Sequence, residues 1–173
     1  MNDLHEGGCL CGSLRYRVSG EPARSNVCHC RFCQRLSGSA FLVEPVFLRP
    51  QVSFIVGEPR VYDHRGEHGR SLHLHFCGHC SVKVGLTFER FPDHMGICGG
   101  TFDDPHWFQP TRHIFTAYGV PWLRYPENVE CFAEHAVKGD GTPEVPWQRH
   151  SEQVQSDQKP SASAGGPWPS KGG

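Results

Sequence analysis

Seven of the nine cysteines in this 173-residue chain fall into three short motifs. The motifs are Cys9-Leu-Cys11, Cys28-His-Cys30-Arg-Phe-Cys33 and Cys77-Gly-His-Cys80. Four thiolates complete a tetrahedral zinc site, so seven cysteines supply one closed site and three further ligands. Zinc enzymes commonly have three protein ligands and leave the fourth position to substrate or water. The cysteine count therefore predicts a metal centre with room for chemistry.

A disulfide framework is the alternative use of so many cysteines. The cysteine number is odd, and the first eight residues lack the basic and apolar stretches of a secretory signal. In a reducing compartment, thiols stay free to bind metal. We therefore expect metal binding rather than disulfides, and a cytoplasmic protein.

Composition narrows the classes of partner. The formal net charge is −1, so the chain lacks the excess of positive charge that is typical of proteins that bind nucleic acid. No apolar run approaches the roughly 18 residues that a membrane-spanning helix needs. The sequence thus predicts a protein that binds neither nucleic acid nor membrane, and it leaves the oligomeric state open.

Residues 7–135 consist of short segments separated by glycine and proline. Polar and apolar residues alternate in residues 13–18, as in a half-buried strand. One short helix is expected over residues 31–36, directly after the second cysteine motif. The sequence predicts a mainly β, zinc-bound single domain with one short helix. Strands are expected over residues 13–18, 39–47, 52–56, 60–63, 71–76, 82–88, 95–99 and 112–118.

The composition changes after Val137. The segment from Gly139 to Gly173 is rich in Gly, Pro, Ser and Gln, and its large apolar residues are Trp147 and Trp168. Such a segment buries too little surface to offset the entropy of ordering it. We expect an N-terminal extension over residues 1–6, a zinc-binding domain over 7–135 and a disordered tail over 136–173.

Spacing alone leaves two ways to divide the cysteines. In one, Cys9 and Cys11 share a zinc ion with the Cys77–Cys80 motif, and the second motif binds another metal. In the other, Cys30 and Cys33 pair with the Cys77–Cys80 motif as a zinc ribbon. The second division leaves Cys9, Cys11 and Cys28 without a place in that site.

Four runs follow one another along the chain: Gly8-Cys-Leu-Cys-Gly12, Cys28-His-Cys-Arg-Phe-Cys-Gln-Arg-Leu-Ser-Gly-Ser-Ala-Phe41, Phe76-Cys-Gly-His-Cys80 and Gly100-Thr-Phe-Asp-Asp-Pro105. Together they resemble the glutathione-dependent formaldehyde-activating enzyme (Gfa) family, which includes centromere protein V-like proteins. The resemblance implies a fold of tandem β-ribbons and two zinc ions per chain. It also implies a structural site of Cys9, Cys11, Cys77 and Cys80, and a catalytic site of Cys28, Cys30 and Cys33. Ser81 departs from the glycine usual in the family after the last of these cysteines.

A three-thiolate zinc suits one kind of chemistry. Three thiolates leave the complex with a net negative charge, so it polarises carbonyls poorly but can hold an incoming thiol as thiolate. A thiolate beside an electrophilic carbon forms a carbon–sulfur bond, and the reverse reaction is that of a carbon–sulfur lyase. The resemblance implies glutathione and formaldehyde as the thiol and the aldehyde. The alternative function is a non-catalytic zinc-stapled β-ribbon module that binds protein.

Other residues have both a functional and a plainer interpretation. Cys98 is either the fourth ligand of the second zinc or, as we expect, a small buried hydrophobe, and Cys131 is expected to be buried too. His29 is either a supporting donor or alternative ligand or, as we expect, a side chain directed to solvent or substrate. Surface positions are expected for His73, His75, His113, Arg31, Arg35 and Arg112.

Two neighbouring carboxylates complete the candidates. Asp103 and Asp104 could act as a proton shuttle or contact a substrate amine. An ordinary turn closed by an Asx hydrogen bond is the interpretation that we favour for this segment. The three arginines Arg31, Arg35 and Arg112 are candidates for binding substrate carboxylates.

Overall fold

The computed structural model describes residues 3–66, 69–127 and 129–147. Among these residues are eleven β-strands and one α-helix, which confirms the predicted mainly β fold with a short helix. The described residues of 1–27 and 42–112 form one compact unit, called the first unit. Those of 28–41 and 113–147 form another, called the second unit. In the described part of the chain, no helix is long and apolar enough to cross a membrane.

The first unit is built from antiparallel ribbons. Its strands are β1 (Leu4–Gly8), β2 (Arg15–Ser19), β3 (Arg24–Cys28), β4 (Leu42–Leu48), β5 (Val52–Val56), β6 (Arg60–Arg65), β7 (Ser71–Phe76), β8 (Lys83–Phe88) and β9 (Phe91–Ile97). One sheet has the order β1–β2–β5, and another part of the unit has the order β3–β4–β9–β8–β7–β6. Strands β6 to β9 form an up-and-down meander in which each pairs antiparallel with the next.

The second unit contains the helix α1 (Arg31–Ser37) and two short strands, β10 (Arg112–Ile114), whose last two residues belong to this unit, and β11 (Glu130–Cys131). Backbone hydrogen bonds join the β11 region to β10, for example from the Phe132 N–H to the His113 carbonyl at 2.9 Å. The helix ends at Gly38, whose φ of 64° gives a left-handed cap that glycine adopts easily.

Strands with clear alternation were predicted well, and polar ones were missed. The predicted strands 52–56 and 71–76 match β5 and β7 at both ends. The strand predicted over 112–118 stops at Ile114, because Phe115 takes the left-handed conformation with a φ of 57°. Three strands were not predicted: β1, β3 and the two-residue β11. In β3 the polar residues Ser25 and Asn26 are buried, at 2% and 6% exposure, so no polar face marks the strand.

Strand β1 depends on a glycine rather than on apolar residues. It pairs residue for residue with β2, from Leu4 opposite Ser19 to Gly8 opposite Arg15. A Cβ atom on Gly7 would lie 2.3 Å from the Tyr16 hydroxyl oxygen. Only glycine at position 7 therefore lets β1 pair with β2 without a clash with the Tyr16 side chain.

The core of the first unit includes two of the cysteines predicted to bind the structural zinc. Cys9 and Cys77 are buried in one cluster with Leu14, Tyr16 and Phe47. The position of these two thiols is therefore fixed by apolar packing as well as by the turns that carry them.

The start of the predicted tail makes specific contacts. The Trp147 N–H donates to the Cys131 carbonyl at 2.8 Å, and the Trp147 indole N–H donates to the Thr116 hydroxyl oxygen at 2.9 Å. Trp147 is therefore held by two hydrogen bonds, although the composition of residues 139–173 predicted a disordered segment. Residues 148–173, with Trp168, lie outside the described residues, so the boundary of the tail stays a prediction.

Replacing Tyr16 with phenylalanine tests how much the polar end of this core contributes. Tyr16 is fully buried, and its hydroxyl donates to the Thr101 oxygen at 2.9 Å, which in turn donates to the Cys98 carbonyl. Tyr16→Phe should lower the free energy of unfolding by about 1 kcal/mol, the typical net value of one such hydrogen bond. Urea unfolding measures it, and an unchanged midpoint would contradict the assignment.

Candidate metal centres

The first cluster brings together four sulfurs of the first unit. The Sγ atoms of Cys9, Cys11, Cys77 and Cys80 all lie within 4.8 Å of one another. Cys9 and Cys11 are 3.5 Å apart, and Cys11 and Cys77 are 3.7 Å apart. A tetrahedral zinc with Zn–S bonds near 2.3 Å separates its sulfurs by about 3.8 Å. All four cysteines are free, so the donor set fits one zinc ion.

A tight turn after β1 presents the first pair. The Cys9 N–H donates to the Leu14 carbonyl at 2.9 Å, and the Leu14 N–H donates back to the Cys9 sulfur at 3.2 Å. Gly12 has a φ of 77°, a conformation that glycine adopts without steric cost. The turn therefore curls the chain so that Cys9 and Cys11 reach the same point.

A second turn, after β7, presents the other pair. The Ser81 N–H donates to the Cys77 carbonyl at 3.0 Å, and the His79 N–H donates to the Cys77 sulfur at 3.4 Å. Ser81 has a φ of 61°. The position where the sequence departs from the family's glycine is thus one where the backbone is left-handed.

The surroundings of the first cluster favour the thiolate form at Cys11 and Cys80, whereas burial and the side chains of Cys9 and Cys80 raise the pKa of Cys77 to about 11. Hydrogen bonds from the side chain and backbone of Ser13 lower the pKa of Cys11 to about 6. The backbone N–H of Val82 lowers the pKa of Cys80. Deprotonated sulfur is the form that binds zinc, and an all-sulfur donor set is typical of structural zinc sites.

The second cluster brings together three sulfurs of the second unit. The Sγ atoms of Cys28, Cys30 and Cys33 lie within 4.8 Å of one another, with Cys28 and Cys30 3.5 Å apart. Cys30 caps α1, where its sulfur accepts the Cys33 N–H at 3.3 Å. Among the described residues, no fourth His, Cys, Asp or Glu ligand atom joins this cluster.

The cysteines therefore do not divide as a zinc ribbon of two Cys-x-x-Cys pairs. The structure groups four sulfurs in one cluster and three in the other. The catalytic or structural role of each cluster stays a prediction at this point.

One negative charge is shared within the three-cysteine cluster. Hydrogen bonds from the Cys28 and Cys33 thiols lower the pKa of Cys30 to about 3. The hydrogen bond with Cys30 raises the pKa of Cys28, and hydrogen bonds with Cys28 and Cys30 raise the pKa of Cys33. The other two sulfurs can ionise only if a cation balances them. Cys28 and Cys33 are buried and Cys30 is half-buried, so Cys30 is the most exposed of the three.

Two buried histidines lie beside this cluster, which corrects the prediction of solvent-facing side chains. His29 is 0% exposed and His113 is 8% exposed. The His29 Nε2 and His113 Nδ1 atoms are 2.8 Å apart. Burial lowers the pKa of His29 to about 4 and also lowers that of His113. The pair is therefore neutral near pH 7, and His29 is not a ligand in the cluster.

A sequence signal for His29 was available. Side chains two residues apart share one face of a strand. His29 comes two residues after the apolar Val27 and directly after Cys28, the last residue of β3. His29 thus follows the core-facing side of β3. His113 gave no such signal, because its partner lies 84 residues away.

The other candidate residues are engaged elsewhere in the first unit. His73 contacts Asp63 at 2.5 Å, and His75 contacts the Thr87 hydroxyl at 3.0 Å. The predicted Asx turn is observed, since an Asp104 oxygen accepts the His106 N–H at 2.9 Å. Asp103 instead forms a two-point ion pair with Arg15, which lowers the carboxyl pKa.

The remaining cysteines and arginines have simple environments. Cys98 and Cys131 are both buried, and neither belongs to a sulfur cluster. Burial raises the pKa of Cys98 to about 12. Arg31 donates to the side chain of Gln34, and Arg35 is exposed one turn further along α1. Arg112 is half-buried, and its Nε has no hydrogen-bond partner.

The fold and the two sulfur clusters define a mainly β protein with two candidate metal centres. The sequence model of the family described as glutathione-dependent formaldehyde-activating enzyme matches residues 4–118. The chain belongs to that family.

Two similar proteins give the match its context. A Halomonas elongata protein named "Putative glutathione-dependent formaldehyde-activating enzyme" is 25% identical over 137 residues, which cover 75% of this chain and 87% of the relative. A crystal structure of a Rhodobacter sphaeroides protein is similar at 18% identity and a TM-score of 0.47, covering 61% of this chain and 91% of that one.

A glycine at position 81 should stabilise the four-cysteine turn. A side chain at a left-handed position costs about 1 kcal/mol, and glycine removes that cost. Ser81→Gly should raise the melting temperature by about 2–4 °C, the shift that such an energy gives in a chain of this size. Thermal unfolding of the metal-loaded protein measures it. A lower melting temperature would mean that the serine side chain makes a contact worth more than the strain.

Proposed function

We propose that the chain is a zinc-dependent carbon–sulfur lyase that joins or splits a small thiol and an aldehyde. Glutathione and formaldehyde, forming S-hydroxymethylglutathione, are the substrates suggested by the family. The observation that carries the proposal is the difference between the clusters: one offers four sulfurs and the other three. Because tetrahedral zinc takes four ligands, the three-sulfur cluster has room for a ligand from outside.

The four-cysteine cluster has the structural role in this proposal. Its sulfurs come from two turns 66 residues apart in sequence, and two of its cysteines belong to the apolar core. A metal bound there would link the turn after β1 to the turn after β7. Such a site adds folding free energy, since binding and folding occur together.

The three-cysteine cluster has the catalytic role. A zinc ion held by Cys28, Cys30 and Cys33 would supply a positive charge that keeps an incoming thiol deprotonated. The reaction joins the thiol sulfur to the aldehyde carbon, and the proton lost by the thiol ends on the aldehyde oxygen. The reverse reaction breaks the same carbon–sulfur bond. The most exposed of the three sulfurs, Cys30, marks the side from which substrate approaches.

Positive side chains next to the cluster suit an acidic thiol. Arg31 and Arg35 lie one helical turn apart on α1 and are both exposed, and α1 also carries Cys33. Guanidinium groups bind carboxylates in a two-point geometry. We assign these arginines to the carboxylates of the thiol substrate. A thiol-rich enzyme of this kind belongs in a reducing compartment such as the cytoplasm.

Removing one sulfur from the three-cysteine cluster tests the catalytic assignment. Cys30→Ser should lower thiol-dependent aldehyde turnover by at least 100-fold and reduce bound zinc from two to one per chain, because a hydroxyl is a poor ligand for zinc. Cys131→Ser is the matched control, since it changes a buried thiol of the same unit outside the cluster. The rate of adduct formation and the metal content of both variants provide the readout.

Two results would count against the assignment. Full turnover in Cys30→Ser would remove the three-cysteine cluster from the mechanism. A loss of the second zinc in Cys98→Ser would mean that Cys98 is its fourth ligand. That second result would favour the non-catalytic zinc-stapled module that binds protein.

The structural role of the other cluster has a separate test. Cys77→Ser should remove one zinc per chain and sharply lower the melting temperature, because structural zinc sites provide about 10–16 kcal/mol of apparent binding energy. Cys30→Ser should lose zinc with a much smaller change in melting temperature. Equal thermal effects of the two substitutions would show that the roles are not divided in this way.

A further inference from the structure

The buried pair His29–His113 links the three-cysteine cluster to strand β10. We propose that His113 is a positioning residue, which holds His29 and thereby sets the spacing of the Cys28 and Cys30 sulfurs. The inference concerns how this chain builds its site. It rests on the proposed function only where activity is the readout.

His29 is held at three of its polar atoms. Its Nε2 is 2.8 Å from His113 Nδ1, and its backbone N–H donates to the Ile114 carbonyl at 3.0 Å. Its carbonyl accepts from the Gln34 side chain at 2.7 Å. Two of these contacts lead to β10 and the third leads to α1. The residue between the two ligands is therefore fixed by its side chain and by both backbone groups.

Fixing residue 29 fixes the sulfurs on either side of it. Cys28 and Cys30 are its direct neighbours, and their Sγ atoms are 3.5 Å apart. A rotation of the backbone at His29 turns the two neighbouring side chains relative to each other. The 3.5 Å separation suits two ligands of one zinc, so a rotation that widens it weakens the site.

The hydrogen-bonding pattern defines which histidine donates. The His29 Nδ1 atom is buried and has no hydrogen-bond partner among the residues that the structure describes. An unpaired buried N–H costs more than an acceptor without a partner, so the proton of His29 belongs on Nε2. His29 then donates and His113 Nδ1 accepts, which places the His113 proton on its Nε2. The requirement at position 113 is therefore an acceptor at the site of Nδ1.

An aromatic side chain holds the pair from one side. The Tyr125 ring packs edge-on against His29, with centroids 5.3 Å apart, and against His113, with centroids 5.0 Å apart. Tyr125 in turn contacts Trp147, whose indole N–H is bonded to Thr116. Tyr125 and Trp147 follow residue 118, where the family match ends. The C-terminal part of this chain thus supports the histidine pair.

Two substitutions at position 113 separate positioning from simple packing. In His113→Asn, the amide oxygen can take the place of the Nδ1 acceptor. In His113→Gln, the amide lies one methylene further out, where it replaces Nε2 instead. The two side chains are both polar amides of similar size, so they form a matched pair. His113→Leu removes the hydrogen bond while keeping most of the volume.

Zinc affinity measured by competition with a chromophoric chelator is the main readout, because it needs no substrate. His113→Leu and His113→Gln should weaken one of the two zinc equivalents by about 10–100-fold, the usual effect of losing a residue that supports metal ligands. The other equivalent should be unchanged. His113→Asn should restore the affinity to within about threefold of the parent protein, and kcat should follow the affinity.

Different results separate this inference from the proposed function. If all three variants bind both zinc equivalents as the parent does, and only the melting temperature falls, His113 is a packing residue and the inference is wrong. If His113→Leu does not fold, the comparison of His113→Asn with His113→Gln decides, and equal affinities would overturn the proposal. If His113→Gln weakens zinc while even the parent protein has no lyase activity, the positioning role stands and the proposed function fails.

Discussion

The repulsion between closely spaced thiolates is the constraint on which the structure depends. Sulfurs separated by 3.5–3.7 Å cannot all carry a charge unless a cation lies between them. In the three-cysteine cluster this appears directly, since the low pKa of Cys30 is matched by raised values for its two neighbours. Zinc removes the conflict by accepting the charge of every ligand. The donor sets of both clusters are therefore suited to holding a metal ion.

Different contacts hold the cysteines of the two clusters in place. The four-cysteine cluster lies on two turns whose N–H groups point at sulfur, and Cys9 and Cys77 are packed in an apolar core. The three-cysteine cluster lies at the start of a seven-residue helix and has polar support instead, from His29 and Gln34. A site packed into a core suits a structural metal. A site with one half-buried sulfur and a hydrogen-bonded support suits exchange with a substrate.

The sequence was informative wherever the information is local. The alternation in residues 71–76 predicted β7 at both ends, and the three cysteine motifs contain all seven residues of the two sulfur clusters. Their division into four and three came from the family resemblance, because spacing alone left two divisions open. The prediction failed where a distant contact decides. Strand β1 has no apolar alternation and exists because Gly7 fits over Tyr16. His113 was expected at the surface, and His29 was expected to face solvent or substrate, because nothing near His113 in sequence reveals that it pairs with His29, 84 residues earlier.

The proposed roles require that the four-cysteine metal site is closed and that the three-cysteine site accepts a thiol. Cadmium-113 NMR of the fully loaded protein, recorded before and after adding glutathione, tests this requirement because each cadmium ion reports its own ligands. We expect two resonances, of which one moves on addition of the thiol and the other does not. Two resonances that both stay in place at saturating thiol would contradict it.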